Sequence, residues 1–340
     1  MIDRGAPVLW GKVVSDEQTK QPQRNVQQHF VTAAYLVGFT PDGKRDSQLY
    51  VNERKTEKMF RSVADEAAKR RNYYSATLDG GGFDDTVDTK LTALEAQAMP
   101  SLQKVVAGDY NLTTFERALL AFLIAFQEFR TPWTRKILAE LKTESESDGS
   151  VSADQLRDAL GEKRIKAKAN PHADLDLIVS MGKKIGNIYT RMQWTVIRST
   201  EGDFVTSDTP VVRRNPRFSG RLYGGGLFSP GAEVWFPLSK RAAIRISRDV
   251  SGERKFSELF KAGLIKEAQV VRSELPPVQE RSVPQRVVDA INCQTITTAD
   301  RFVFSSFQSD EISLLLRGES QGMRIVSSPP PPIKKKNDKI

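Results

Sequence analysis

Apolar positions recur at two different periods along this chain, and the change between them divides it. Between Asp88 and Ala107, Leu91, Leu94, Ala98, Leu102 and Val105 fall at helical spacing, with Glu95 among them. Thr113-Thr-Phe-Glu116 then has the form of a capping box, in which hydroxyl and carboxylate satisfy reciprocal backbone donors. Phe115, Leu119, Phe122, Leu123 and Phe126 follow as a wide apolar face. Pro132 removes a backbone donor and predicts the end of this helix near Phe129 to Thr131. A polar linker over 143–152 precedes two shorter helical patterns, roughly 152–162 and 172–190.

From Gln193 the period shortens. Trp194–Arg198, Asp203–Thr206, Val211–Arg213, Glu233–Phe236 and Ala243–Ser247 read as strands, with a glycine-rich loop over 222–228 between them. A helix at roughly 284–298 and a strand at Arg301–Ser305 close the pattern. Before the helical region, Gln28 to Phe39 reads as a compact segment with a short helix. A turn at Thr40-Pro-Asp-Gly43 follows, then an edge strand at Gln48–Asn52. The expected fold is α+β: a helical N-terminal half packed on a mostly antiparallel sheet in the C-terminal half. The expected organisation is an irregular extension over 1–24, a single α+β domain over 25–318 and a disordered Pro/Lys-rich tail over 319–340. Within the domain the helical part spans about 86–190 and the sheet part about 193–305.

The longest apolar run, Ala118–Phe126, falls well short of the ~20 residues a membrane-spanning helix needs. With one cysteine, Cys293, no internal disulfide can form, and the N-terminus lacks a secretory pattern; a cytoplasmic protein is expected. The 51 basic and 42 acidic residues leave a formal charge of +9, which favours anionic partners. The basic residues fall in short groups, Lys69-Arg-Arg71, Arg213-Arg214 and Lys334-Lys-Lys336, rather than on one long face. An anionic small molecule or a nucleic acid is therefore the expected kind of partner.

Two segments carry polar groups inside apolar surroundings, where an unpaired charge is costly. On the long helix, Gln127 and Arg130 continue the apolar stripe, so the guanidinium needs a carboxylate, a carbonyl or a bound anion. Arg135 lies past the proline and is expected to be exposed. In Phe204-Val-Thr-Ser-Asp-Thr-Pro-Val211, Asp208 either fixes a chain reversal or points into a pocket as a general base, with Ser207 beside it. His29 sits next to Phe30 and Val31 as a core residue or as a site imidazole; His172 is the second histidine of the chain. Two histidines and one cysteine are too few for a Cys/His zinc site. Neither Gly80-Gly-Gly82 nor Gly224-Gly-Gly226 is followed by the Lys-Ser/Thr of a phosphate loop, so the sequence names no cofactor.

One ordered set of residues goes further. It runs from His29-Phe-Val, Tyr35-Leu-x-x-Phe39, Leu49-Tyr-Val, Glu66, Tyr73-Tyr74 and Glu95 to Gln127-x-x-Arg130-Thr-Pro132. It continues through Trp194-x-Val, Phe204 to Val211, Trp235-Phe-Pro-Leu-Ser239 and Asn292 to Arg301-Phe-Val-Phe-Ser305. In this order the chain resembles domain of unknown function 4238 over roughly residues 25–305. The resemblance implies a domain boundary and no reaction, because the family's activity is not established. It also implies two adjacent histidines followed three residues later by a proline, where this chain has Gln28 and Thr32. The site expected from these readings uses His29 and Asp208 as catalytic groups. Gln127, Arg130 and Ser207 bind substrate, in a hydrolase acting on a phosphate-bearing or nucleic-acid substrate. The competing expectation is a non-catalytic interaction or polyanion-binding protein in which the same residues form a structural network.

Overall fold

A computed structural model describes residues 26–77, 83–136, 173–215, 227, 231–248 and 275–318. The expected extension, linker, 152–162 helix and tail, and all of the glycine-rich loop but Leu227, lie outside the described residues. The chain enters through β1 (Gln27–His29), the single-turn helix α1 (Ala33–Leu36) and a 3₁₀ turn at Val37–Phe39. β2 (Gln48–Glu53) and β3 (Met59–Val63) form a hairpin, and β4 (Lys69–Arg71) turns back to pair with β1. The short strands β5 (Ala76–Thr77) and β6 (Phe83–Asp84) lead into α2 (Thr86–Ala107) and α3 (Thr114–Phe129). α4 (Ala173–Arg191) precedes β7 (Gln193–Ser199), β8 (Thr206–Ser207) and β9 (Val212–Arg214). β10 (Glu233–Ser239), β11 (Ala242–Ser247), β12 (Gln279–Val283), α5 (Gln285–Thr298), β13 (Phe302–Ser305) and α6 (Asp310–Arg317) complete the order.

The fold is α+β, with strands from both ends of the chain. One five-stranded sheet has the order β12-β7-β11-β10-β9, and one four-stranded sheet has the order β3-β2-β13-β8. β2 is therefore an inner strand and not an edge. Its Leu49 and Val51 are buried, and β13 pairs with it along Glu53 to Tyr50. β12 pairs with β7 in parallel, the one departure from antiparallel pairing among the described strands. Its residues Gln279 to Ser282 are exposed, so no apolar alternation announces it.

α3 begins at the expected capping box, with Thr113 accepting from the Glu116 N–H at 3.2 Å and Glu116 accepting from the Thr113 N–H at 2.8 Å. Beyond its first turn it is not amphipathic: every residue from Arg117 to Gln127 is buried, while Phe115 is exposed. α2 and α4 both pack on it. The approach of α4 is close because Gly182 and Gly186 face Phe126 and Phe122; a Cβ at Gly182 would stand 2.6 Å from the Phe126 ring. Arg117, buried in this region with no carboxylate, donates to the carbonyls of Thr190 (2.9 Å), Met192 (2.7 Å) and Pro276 (2.5 Å) and lies over the Trp194 ring. Burial lowers its pKa to about 10, so it stays charged and ties α3 to the α4–β7 junction.

Tyr35 of α1 holds the N-terminal segment to both sheets. Its hydroxyl meets Thr206 Oγ1 at 2.6 Å and donates to the Pro237 carbonyl at 2.8 Å, and its ring stacks on Phe236. This contact fixes where β1 runs relative to the helices.

Candidate active site

β1 and α2 border a small polar cleft of about 120 Å³, lined by Gln27, Gln28, His29, Asp88, Leu91, Thr92, Glu95 and Arg130. Gln27 is exposed, so the cleft reaches the surface, and Arg130 is 1% exposed, so its floor is deep. All three residues of β1 take part.

The floor is a closed network. Arg130 is the residue at which α3 ends, and its Nε and Nη2 donate to Gln127 Oε1 at 3.0 and 2.5 Å. Its Nη1 donates to Glu95 Oε1 from α2. Gln127 passes the contact on, donating from Nε2 to the Phe30 carbonyl at 2.8 Å. Burial works against the Arg130 charge, but Glu95, with Tyr74 and Asp88, together outweigh it and raise its pKa. Tyr73 closes the outside of the network by donating to the Arg130 carbonyl at 3.0 Å. Arg135 is half-buried rather than exposed: it lies over the Tyr73 ring and donates to the Tyr73 carbonyl.

Gln28, buried in the wall, works as an anchor. Its Oε1 accepts the Tyr74 N–H at 2.6 Å, and its Nε2 faces Ser75 Oγ (3.3 Å) and Asp85 Oδ1 (3.5 Å). Thr32 precedes α1 and makes no side-chain cap bond there.

His29 is half-buried, with Nε2 3.1 Å from the Asp65 carbonyl. A carbonyl can only accept, so Nε2 carries the proton and Nδ1 keeps its lone pair. Desolvation lowers the imidazole pKa below 6.5, outweighing the Asp65 carbonyl and the nearby carboxylates that raise it. Asp88, across the cleft in the first turn of α2, moves the other way. Desolvation raises its carboxyl pKa, opposed by a hydrogen bond from Gln28 and reinforced by Asp85 and Glu95. An imidazole whose pKa is pushed down and a carboxyl whose pKa is pushed up thus line one cleft. Among the described residues no group of three or more His, Cys, Asp or Glu could hold a metal ion.

Asp208 and Ser207 do not line this cleft. Asp208 is 1% exposed, and its carboxylate accepts three backbone N–H groups at the start of β13: Asp300 (3.0 Å), Arg301 (2.7 Å) and Phe302 (3.0 Å). Ser207 makes the local turn, accepting the Thr209 N–H at 3.1 Å. His29 and Arg130 are brought to one cleft with Gln127 directly beneath; Asp208 and Ser207 join β8 to β13 instead. Asp88 carries no signal in the sequence, because a first-turn aspartate is ordinarily a solvated one. Glu95 had one, a carboxylate among the apolar positions of α2.

The family model described as "Protein of unknown function (DUF4238)" matches residues 27–309. The chain belongs to the DUF4238 family. The matched span begins at β1 and ends beyond β13, so it contains every residue that lines the cleft. No curated protein and no solved structure matches the chain. No described helix is long and apolar enough to cross a membrane.

Proposed function

We propose that the cleft between β1 and α2 is the site of a hydrolase acting on a phosphate-bearing substrate, with His29 as the general base. The observation that carries this reading is the His29 Nδ1 lone pair, left free by the Asp65 carbonyl in a cleft shared with Asp88. Water attacking phosphorus would give its proton to Nδ1. As the bond to the leaving oxygen breaks, that oxygen would take the Asp88 proton, so one group gains a proton while the other loses one. Arg130, fixed by Glu95 and Gln127, sets the floor against which the substrate rests. Asp88 takes the carboxyl role expected of Asp208, whose oxygens are occupied by backbone N–H groups.

The test is turnover of chromogenic phosphomonoesters and phosphodiesters, and of single-stranded DNA and RNA. His29→Ala and Asp88→Asn should each lower it by about 10²–10⁴-fold with an unchanged melting temperature. Turnover equal to the parent in His29→Ala, or none in the parent on any substrate, contradicts the reading. A second reading has its own support: the floor network is satisfied internally, as a purely structural network would be. That reading expects Glu95→Ala to lower the melting temperature while the parent turns over nothing.

A further inference from the structure

Strand β4 lies alongside the cleft and is basic throughout. Its antiparallel register with β1 sets Lys69 against His29, Arg70 against Gln28 and Arg71 against Gln27. Each cleft-lining residue of β1 therefore has a cation about 5 Å away between Cα atoms. Among the described residues β4 pairs with no other strand, so its far edge is open.

Its two ends are held in conformations that side chains rarely adopt. Ala68 (φ +51°) precedes it and Asn72 (φ +49°) follows it. An alanine in the left-handed region costs roughly 1–3 kcal/mol and persists only where the surroundings impose it. Here they do. The Ala68 carbonyl accepts the Phe30 N–H at 3.0 Å. Asn72 exchanges backbone and side-chain bonds with Val26, at 2.8 and 3.0 Å. The strand is thus pinned at both ends to the segment around β1, which lines the cleft.

Two of these three cations have no acidic partner among the described residues. Arg70 and Arg71 are exposed, and no carboxylate among the described residues pairs with either. Arg70 is oriented by the Phe30 ring, 5.7 Å beneath its guanidinium. Lys69 pairs with Glu66 at 2.7 Å. Side chains alternate along a strand. An anionic chain lying on the open edge would meet Arg70 from one face and Arg71 from the other.

From this we infer that β4 is the recognition edge for the phosphodiester backbone of a single-stranded nucleic acid, delivering it to the adjoining cleft. Cations on both faces of one strand can meet successive phosphates of a polymer lying along it, where a single isolated phosphate would meet only one face. Planar guanidinium groups hold phosphate oxygens in pairs. The inference rests on the cleft being hydrolytic only for what happens after binding; the binding itself is separable.

The experiment is fluorescence anisotropy of a labelled single-stranded oligonucleotide, at several salt concentrations, with the parent, Arg70→Ala/Arg71→Ala and, as a control cation, Arg281→Ala. A competition arm uses inorganic phosphate and a mononucleotide. Binding by the parent should weaken steeply with salt. The double arginine variant should lose on the order of tenfold in affinity and about 2 in the slope of log affinity against log salt, with its melting temperature retained. Arg281→Ala, which removes an exposed cation from β12 in another sheet, should bind as the parent does. Parent-like affinity and slope in the folded double variant, no binding by the parent at low salt, or equal competition by free phosphate would overturn the inference. Loss of turnover in His29→Ala tests the cleft separately, so failure of one leaves the other standing.

Discussion

Single residues in this chain are buried with their charges, and what each charge touches sets its cost. Arg130 keeps its charge because Glu95, 19% exposed in its side chain, sits against it. Removing that partner leaves an uncompensated guanidinium, so Glu95→Ala should cost roughly 3–5 kcal/mol in chemical denaturation. Asp208 is buried with backbone donors instead of a cation. Burial outweighs the three N–H groups and raises its pKa from 3.8 to about 7. The native state therefore prefers the protonated carboxyl. Its stabilising contribution is complete below about pH 4 and is lost as pH rises through about 7. Asp208→Asn turns an NH₂ toward the Asp300 N–H and should cost about 1–3 kcal/mol. Denaturation at pH 5 and pH 8 should show that deficit shrinking as pH rises. Both residues were legible as buried polar groups in apolar runs. Which groups they would pair with was not: Glu95 is 35 residues from Arg130, and the Asp208 donors lie 92–94 residues away. No local pattern encodes such distances.

At the scale of elements, the contact between α3 and α4 turns on two glycines. An alanine at Gly182 would gain up to about 1 kcal/mol of helix propensity. Its Cβ would also meet the Phe126 ring at 2.6–2.8 Å, with that ring itself buried. The clash wins, because a packed core resists an added methyl by about 1–3 kcal/mol. Gly182→Ala should therefore lower the melting temperature by a few degrees, measurable by calorimetry. Long elements with a period were readable: the capping box at Thr113 and Glu116, the end of α3 at Phe129 and the strands β7, β10 and β11. Elements defined by pairing were not. β4 is three charged residues and β12 is polar and exposed; both are strands because β1 and β7 run beside them. Even β2, whose alternation was visible, could not announce itself as an inner strand, since its neighbour β13 comes some 250 residues later.

At the scale of the whole molecule, the cleft exists because the start of the chain is fixed against its middle. Tyr35 ties α1 to β8 and β10, and the Gln127 amide holds the Phe30 carbonyl next to β1. Once β1 is placed, His29 and Asp88 line one cleft, and β4 runs beside β1. The resemblance to the family marked His29, Gln127 and Arg130 in order along the chain. The cleft that unites His29 and Arg130, and the strand of cations beside it, belong to the folded state alone.

The most direct measurement follows the His29 ring proton by NMR across pH, with His29→Ala to assign it against His172. Desolvation favours the neutral ring, so the stability it contributes is present above pH 6.5 and lost as pH falls through the folded midpoint. The predicted result is a midpoint below 6.5 that moves upward when a single-stranded oligonucleotide is added, because a phosphate in the cleft stabilises the imidazolium. A midpoint at or above 6.5, or one that the oligonucleotide leaves unmoved, would contradict a neutral base poised beside a bound phosphodiester.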